Sequence, residues 1–181
     1  LKPATIRTAD PDRDAAACAA IYAPFVESGA TSFEQEPPDA TRFAGRIAQI
    51  QATYPWLVAE RDGAVVGYAY ACPHRARPAY RWAVETSVYV AAGERRMGHG
   101  QALYAELTKR LRRQRFHIAC AGITLPNPAS VALHEGVGFV PVGVYRRIGW
   151  KDGSWRDVGW WQLDLLPAGS DVPDEPLPPE P

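Results

Sequence analysis

The chain lacks an excess of charge: its 181 residues hold twenty Lys and Arg side chains against twenty Asp and Glu. A nucleic-acid track or a lipid-surface patch needs a field of one sign, so neither partner is expected, and any bound anion must be held locally. The expected ligand is small. Cysteine is scarce as well: Cys18, Cys72 and Cys120 are far apart, odd in number and set in apolar surroundings, without paired metal-ligand spacing. They read as buried free thiols of a reducing compartment. No histidine–carboxylate cluster has zinc spacing and no Gly-x-Ser-x-Gly elbow occurs, so metal and serine hydrolysis lose support and no metal is expected. No apolar run reaches the ~20 residues of a membrane span. Ala15 to Val26 is apolar, but Asp10, Asp12 and Asp14 precede it where a signal peptide needs a basic segment. The expected location is the cytoplasm, with no membrane partner. No internal repeat appears.

With 46% hydrophobic composition, the chain fits one domain over residues 1–166. From Pro167 onward six of fifteen residues are proline, so 167–181 reads as an extended, weakly ordered tail. A strand near Thr5 to Arg7 leads to a helix from about Asp12, with Tyr22, Phe25 and Val26 inward and Pro24 ending or kinking it. Asp39 caps a second helix whose Phe43, Ile47 and Ile50 recur at helical spacing. Trp56 to Glu60, the Asp62-Gly63 turn and Ala64 to Ala71 form a hairpin. The spacing predicts a strand over Tyr80 to Val90, with Tyr80, Trp82, Val84, Val88 and Val90 on one face and Arg81, Glu85, Ser87 and Tyr89 on the other. A helix from Gln101 carries Leu103, Leu107 and Leu111 and ends in a basic run that suits its C-terminus. A strand at Ile118 to Ile123, a helix capped by Asn127-Pro128, and strands over Phe139 to Trp150 and Trp155 to Leu165 close the domain. The order implies an α/β (α+β) fold: a central mixed sheet with helices on its faces.

Between the central strand and the Gln101 helix stands Arg95-Arg96-Met97-Gly98-His99-Gly100. Strand, glycine turn and helix is an arrangement that binds pyrophosphate: glycine lets backbone N–H groups approach an anion, the helix start adds partial positive charge, and two arginines add full ones. An arginine–glycine turn that only caps a surface helix stays open on this feature alone. Downstream, Asn127, Ser130, His134, Gly138 and Phe139 follow the spacing Asn-x-x-Ser-x-x-x-His-x-x-x-Gly-Phe.

These two elements resemble the acetyl-CoA motifs of the GNAT superfamily of N-acetyltransferases, whose first is [Gln or Arg]-x-x-Gly-x-[Gly or Ala] between strand and helix. Within it the chain is similar to the phosphinothricin and methionine sulfoximine N-acetyltransferase family, from the first strand to about Leu165. The matching segments are Tyr54 to Glu60, Arg75-Ala76-Arg77 with Ala79-Tyr80, Glu85 with Val88-Tyr89-Val90, Leu125-Pro126-Asn127, His134-Glu135, Asp157-Val158-Gly159 and Trp161 to Asp164. The resemblance implies the GNAT fold, with a mostly antiparallel twisted sheet, and acetyl-CoA as co-substrate. It also implies a glutamate-like amino acid as acceptor and a homodimer.

Attack on a thioester needs a neutral amine, whereas an amino-acid α-amine is mostly protonated near neutral pH, so a base is required directly or through water. Glu85 matches the family's candidate; its spacing alone leaves a surface glutamate on an edge strand equally open. A backbone N–H near Tyr89 is expected to stabilise the oxyanion, as the resemblance implies. His134, where many superfamily members have tyrosine, is expected to protonate the coenzyme thiolate or orient the reactants; a histidine that only hydrogen-bonds locally stays open. The resemblance assigns acetyl-CoA to Val88, Tyr89, Val90, Arg95, Arg96, Met97, Gly98, His99, Gly100, Gln101, Asn127 and Ser130. Taken singly, His99 and His117 read as exposed polar residues.

Arg75 and Arg77, two apart, are expected to hold a carboxylate or phosphinate, since guanidinium forks suit both; exposed arginines without a partner are the other reading. Phe33 and Tyr80 match family positions lining the acceptor pocket, although core packing is open to both. The family usually has lysine at the place of Arg75 and tryptophan at that of His74, which leaves the anion preference open. No cysteine falls in the matched catalytic segments, which favours direct transfer in a ternary complex over an acetyl-cysteine. Rival readings are acetylation of another amine or a protein N-terminus, and a non-catalytic acetyl-CoA sensor. Paired arginines repel polycations, and retention of Glu85 and His134 disfavours the sensor.

Overall fold

The computed structural model describes residues 3–169 and 172–179. Its sheet has seven strands: β1 (Thr5–Thr8), β2 (Trp56–Arg61), β3 (Ala64–Pro73), β4 (Ala83–Val90), β5 (Ile118–Leu125), β6 (Val140–Lys151) and β7 (Ser154–Asp164), in spatial order β1-β2-β3-β4-β5-β7-β6. Every neighbouring pair is antiparallel except β4 and β5, which run parallel. The helices are α1 (Pro11–Glu27), α2 (Ala40–Gln51), α3 (His99–Arg113) and α4 (Pro128–Gly136). Among the described residues no helix is long and apolar enough to cross a membrane.

Alternation along the strands divides the core into two layers. Leu57, Ala59, Ala69, Ala71 and Val84 pack with Leu103, Leu107 and Leu111 of α3 on one face. Trp56, Val58 and Tyr68 pack with Val26 of α1 and with Phe43 and Ile47 of α2 on the other. The α3 leucines are fully buried, and each contributes about 1.5–3 kcal/mol relative to exposure. Asp39 caps α2 by accepting from Arg42 N–H at 2.8 Å, and Asn127 caps α4 through Ser130 N–H at 3.1 Å.

Several boundaries differ from the sequence expectation. Helix α1 starts at Pro11, one residue ahead of Asp12, and is capped by Asp10, which accepts from Asp12 and Arg13 N–H. Pro24 does not end it. The helix continues to Glu27, and the Pro24 carbonyl still accepts from Ser28 N–H at 3.0 Å, because a proline this late removes one donor and leaves its own acceptor usable. Tyr80 and Trp82 lie outside the central strand. Pro78–Tyr80 form a 3-10 turn closed by Tyr80 N–H to the Arg77 carbonyl, so β4 begins at Ala83 and only Val84, Val88 and Val90 of the expected row share its face. Helix α3 begins at His99, ahead of Gln101.

Two attachments hold outlying segments to the body. Residues 172–179 have no regular secondary structure and lie against the body: Leu177 N–H donates to the Gln114 carbonyl, Gln114 Nε2 donates to the Leu177 carbonyl, and Glu175 pairs with Arg81. Residues 170–171 and 180–181 of the expected tail lie outside the described residues. On the opposite flank, Lys151 at the end of β6 is buried, and its Nζ donates to the Val26 carbonyl at 2.9 Å and to the Glu34 carbonyl. This ammonium ties the loop between α1 and α2 to the sheet. Lys151→Met leaves both carbonyls without that donor, and a buried polar group without a partner costs about 1–3 kcal/mol. Urea denaturation is expected to show a loss of that order.

Candidate active site

The parallel pair β4 and β5 is short. Ala83, Val84 and Glu85 pair with Ile118, Ala119 and Cys120, and there the pairing stops although both strands continue. The Trp82 carbonyl accepts from Ile118 N–H on the β5 side, while the Ala83 carbonyl and Ala91 N–H face β3. Strand alternation therefore turns the N–H and C=O groups of Thr86, Val88 and Val90 toward β5, into the gap. The N–H of Tyr89 points to β3. The backbone N–H near Tyr89 that faces the gap is therefore that of Val88, one residue earlier. Tyr89 instead gives its side chain to an aromatic cluster with Tyr22, Phe25 and Tyr68.

A narrow cavity of about 60 Å³ occupies the gap, lined by Thr86, Ser87 and Val88 of β4, Gly122 and Ile123 of β5, and Asn127, Ser130 and His134 around α4. A larger cavity of about 220 Å³ lies elsewhere, between Gln51, Tyr54, Arg110, Gln114 and Pro179, and contains none of the expected site residues.

At one end of β4 the chain makes the glycine turn. Gly98 is the N-cap of α3 at φ 83°, a left-handed conformation that favours glycine, and no side chain caps this helix. Its first N–H groups stay available to an anion. A Cβ on Gly100 would stand 2.9 Å from Leu133 Cδ2, so glycine allows α4 to approach the start of α3. Arg95, Arg96, Met97 and Gln101 are exposed, and the Arg95 guanidinium lies 5.2 Å from the Phe25 ring centroid. His99 is buried, contrary to its reading as an exposed residue: its Nε2 lies 3.1 Å from Glu94 Oε2, and Glu94 also accepts from Arg61. Glu94 and Arg61, which anchor this turn, carry no motif that marks them in the sequence.

The two expected catalytic side chains stand on opposite faces of the sheet. On the α3 face, His134 is buried. Its Nδ1 donates to the Ser130 carbonyl at 2.7 Å and lies 3.3 Å from Ser130 Oγ, while Nε2 lies 2.7 Å from the Tyr104 hydroxyl. Tyr104 continues to Thr86 Oγ1 at 3.2 Å, which bonds the Cys120 carbonyl where the strands part. Desolvation lowers the His134 pKa below the usual 6.5, opposed by its bond to Ser130, and the ring is neutral near pH 7. Tyr104 escaped sequence reading because it sits beside the leucine stripe of α3 and looks like core.

On the other face, Glu85 is half-buried. Arg75 Nη1 donates to its Oε1 at 2.9 Å, and His74 Nδ1 lies 3.0 Å from the same oxygen. Arg75 also lies 5.8 Å from the Trp160 ring, and Tyr80 faces His74. Arg77 is exposed at the start of the 3-10 turn and does not join Arg75 on Glu85. Phe33 packs on Gly149 of β6, while its neighbour Thr31 reaches the cavity.

Cys72 and Cys120 are the cross-strand neighbours of Glu85, far from it in sequence yet beside it in the sheet. Burial, with a smaller effect of the Glu85 charge, pushes the Cys72 thiol up to about 11 and raises Cys120. Burial also pushes Cys18 to about 12. All three stay protonated near neutrality and are poor nucleophiles.

Comparison with known proteins identifies the family and the fold. The acetyltransferase (GNAT) domain profile matches residues 6–160. The chain belongs to the GNAT acetyltransferase family. It is 43% identical to a phosphinothricin N-acetyltransferase of Streptomyces viridochromogenes over 168 residues, covering 92% of this chain and 91% of that one. It is 36% identical to an L-methionine sulfoximine/L-methionine sulfone acetyltransferase of Salmonella typhimurium, covering 89% and 94%. The solved phosphinothricin acetyltransferase of Sinorhizobium meliloti, in complex with acetyl-CoA, superposes with a TM-score of 0.90 at 36% identity, covering 96% and 95%. This GNAT member has the sheet expected of the family, mixed and mostly antiparallel.

The neutral buried ring of His134 makes stability depend on pH. Because the folded pKa lies below the unfolded value, the unfolded chain binds more protons as the pH falls through 6.5. The contribution is full above 6.5 and is lost as pH falls through the folded pKa. In thermal melts, His134→Gln is expected to flatten the decline on that acid side relative to wild type.

Proposed function

We propose that this GNAT enzyme transfers acetyl from acetyl-CoA to the α-amine of phosphinothricin, methionine sulfoximine or a similar glutamate-like amino acid, directly in a ternary complex. The single observation that carries it is the placement of Glu85 as the last β4 residue paired with β5, joined to Arg75 at 2.9 Å, at the mouth of the gap. The phosphinothricin and methionine sulfoximine acetyltransferases among its relatives support the acceptor class.

The open edge of β4 at Thr86, Val88 and Val90 suits the extended arm of acetyl-CoA, and the uncapped start of α3 with Arg95 and Arg96 suits its phosphates. The residues fit that co-substrate. Asn127 and Ser130 border the gap. Val88 N–H serves as the oxyanion donor. Glu85 supplies the negative charge that draws a proton from the ammonium, directly or through an intermediary. His134, neutral and bonded at both ring nitrogens, reaches the coenzyme sulfur through the Ser130 hydroxyl. Arg75 meets the acceptor's anionic group, with Tyr80, Phe33 and Arg77 on the approach. The protonated cysteines favour direct transfer.

We also read the enzyme as a cytoplasmic homodimer, with residues 1–166 as the acetyltransferase domain and 167–181 as its appendage. Strand β6 is the sheet edge, and Val142, Val144, Ile148, Trp150 and Trp155 on this hairpin are each 46–64% exposed. An exposed apolar edge strand is an association surface.

Release of free coenzyme A, measured with phosphinothricin, methionine sulfoximine, glutamate, a polyamine and a peptide, tests the acceptor. Turnover is expected with the first two, and Glu85→Gln is expected to lose at least about tenfold. Turnover confined to the polyamine or peptide overturns the reading, and tight acetyl-CoA binding without any turnover supports the sensor. Sedimentation is expected to give a dimer that Val144→Lys shifts toward monomer.

A further inference from the structure

His74 stands just after β3, its N–H still bonded to the Ala83 carbonyl at 3.4 Å, on the sheet face of Cys72 and Glu85. Its ring is held edge-on by two aromatic walls, Tyr80 at 5.8 Å and Trp160 at 6.0 Å between centroids. The side chain is 19% exposed, sheltered but not sealed from solvent.

Its contact with Glu85 fixes the chemistry of the ring. A carboxylate only accepts, so the 3.0 Å bond places the hydrogen on Nδ1 and leaves the lone pair of the neutral ring on Nε2. Glu85 Oε1 already accepts from Arg75 at 2.9 Å, so both donors share one oxygen, and the carboxylate is held as a counter-ion beside the imidazole. Imidazole is the side chain most often used as a general base near neutral pH. A histidine oriented through Nδ1 by a carboxylate, with Nε2 turned to the reactant, is an arrangement that accepts protons from substrates.

We propose that His74 Nε2 is the atom that takes the proton from the acceptor amine, with Glu85 orienting the ring and stabilising the imidazolium. This deepens the role given to Glu85 above and rests on that reading of the acceptor as an ammonium. The ammonium gives one proton to Nε2. The freed nitrogen lone pair forms the C–N bond at the acetyl carbonyl as the C=O π pair moves onto oxygen. That pair re-forms the carbonyl, the C–S bond breaks, and its electrons leave with sulfur. The nitrogen's second proton ends on the thiolate, and His74 returns the first to solvent, so an ammonium and a thioester give an amide, a thiol and one proton. Among the described residues, the charged and titratable groups around the ring are Glu85 from β4, Arg75 from the same loop, Tyr80 from the 3-10 turn, and the Cys72 and Cys120 thiols flanking Glu85.

The test uses the full chain, acetyl-CoA and the acceptor panel, comparing His74→Gln, His74→Ala and Glu85→Gln. His74→Gln is expected to lower kcat/KM for the acceptor by about a hundredfold and to leave the KM for acetyl-CoA within about twofold. It also removes the acid limb of the profile, where activity falls because the protonated ring cannot accept. Added imidazole restores activity to His74→Ala and not to Glu85→Gln. His74→Gln within about threefold of wild type, with the limb intact, overturns the proposal. If Glu85→Gln alone then loses activity, the carboxylate is itself the base; if neither variant loses activity, the reading of Glu85 fails too. Nitrogen NMR of the His74 ring needs no acceptor: a proton on Nδ1 with bare Nε2, altered in Glu85→Gln, supports the proposal, and a proton on Nε2 in the neutral ring overturns it.

Discussion

Two neighbouring parallel strands stay paired for three residues and then part, and the rest of the site depends on that parting. Had β4 and β5 continued in register beyond Glu85 and Cys120, the polar groups of Thr86, Val88 and Val90 would have been used within the sheet. Left open, they line a gap that joins the two faces. Glu85, His74 and Arg75 are joined to one another on one face of the sheet beside it, and His134, Tyr104 and Ser130 on the other. A reaction between an amine and a thioester needs its partners to arrive from different directions, and the fork in the sheet supplies two.

The fork is supported at its vertex and along its arms. Thr86 Oγ1 ties the Cys120 carbonyl to the Tyr104–His134 chain, so the point of divergence is fixed by side-chain bonds from β4, α3 and α4. Beyond it, Trp160 of β7 covers Gly122 of β5, with a Cβ at that glycine only 3.3 Å from the ring. Asn127 sets the start of α4, and Gly100 lets α4 reach α3. The glycine turn is braced from outside by Glu94, which holds Arg61 and His99 at once. Buried polar bonds of this kind add little net stability when satisfied and cost about 1–3 kcal/mol when broken. They fix geometry more than they add stability.

The legible parts were those where local chemistry decides. The Asp62-Gly63 hairpin, the caps at Asp39 and Asn127, and the leucine stripe of α3 are set by residues within a few positions of one another, and each stands where its spacing put it. The reading failed where a local signal competed with context. Tyr80 and Trp82 continue the strand's alternation, yet Pro78 turns the backbone into a 3-10 turn. Pro24 signals a break but falls late enough in α1 for the last turn to survive. His99 looked exposed because nothing near it in sequence reveals that Glu94 folds back over it.

The sequence by itself determined the family, and it nominated the glycine turn, Glu85 and His134 as the places to look, because those depend on residue types at fixed spacing along one strand and two helix starts. Only the tertiary structure decided which groups they act with. Cys72 and Cys120 became neighbours of Glu85 through strand register, Tyr104 became the partner of His134 through the meeting of α3 and α4, and His74 reached Glu85 from the end of another strand. Hydrogen bonding and desolvation depend on distances of a few ångströms, and positions 11, 30 or 35 residues apart in the chain acquire such distances only when the sheet is assembled.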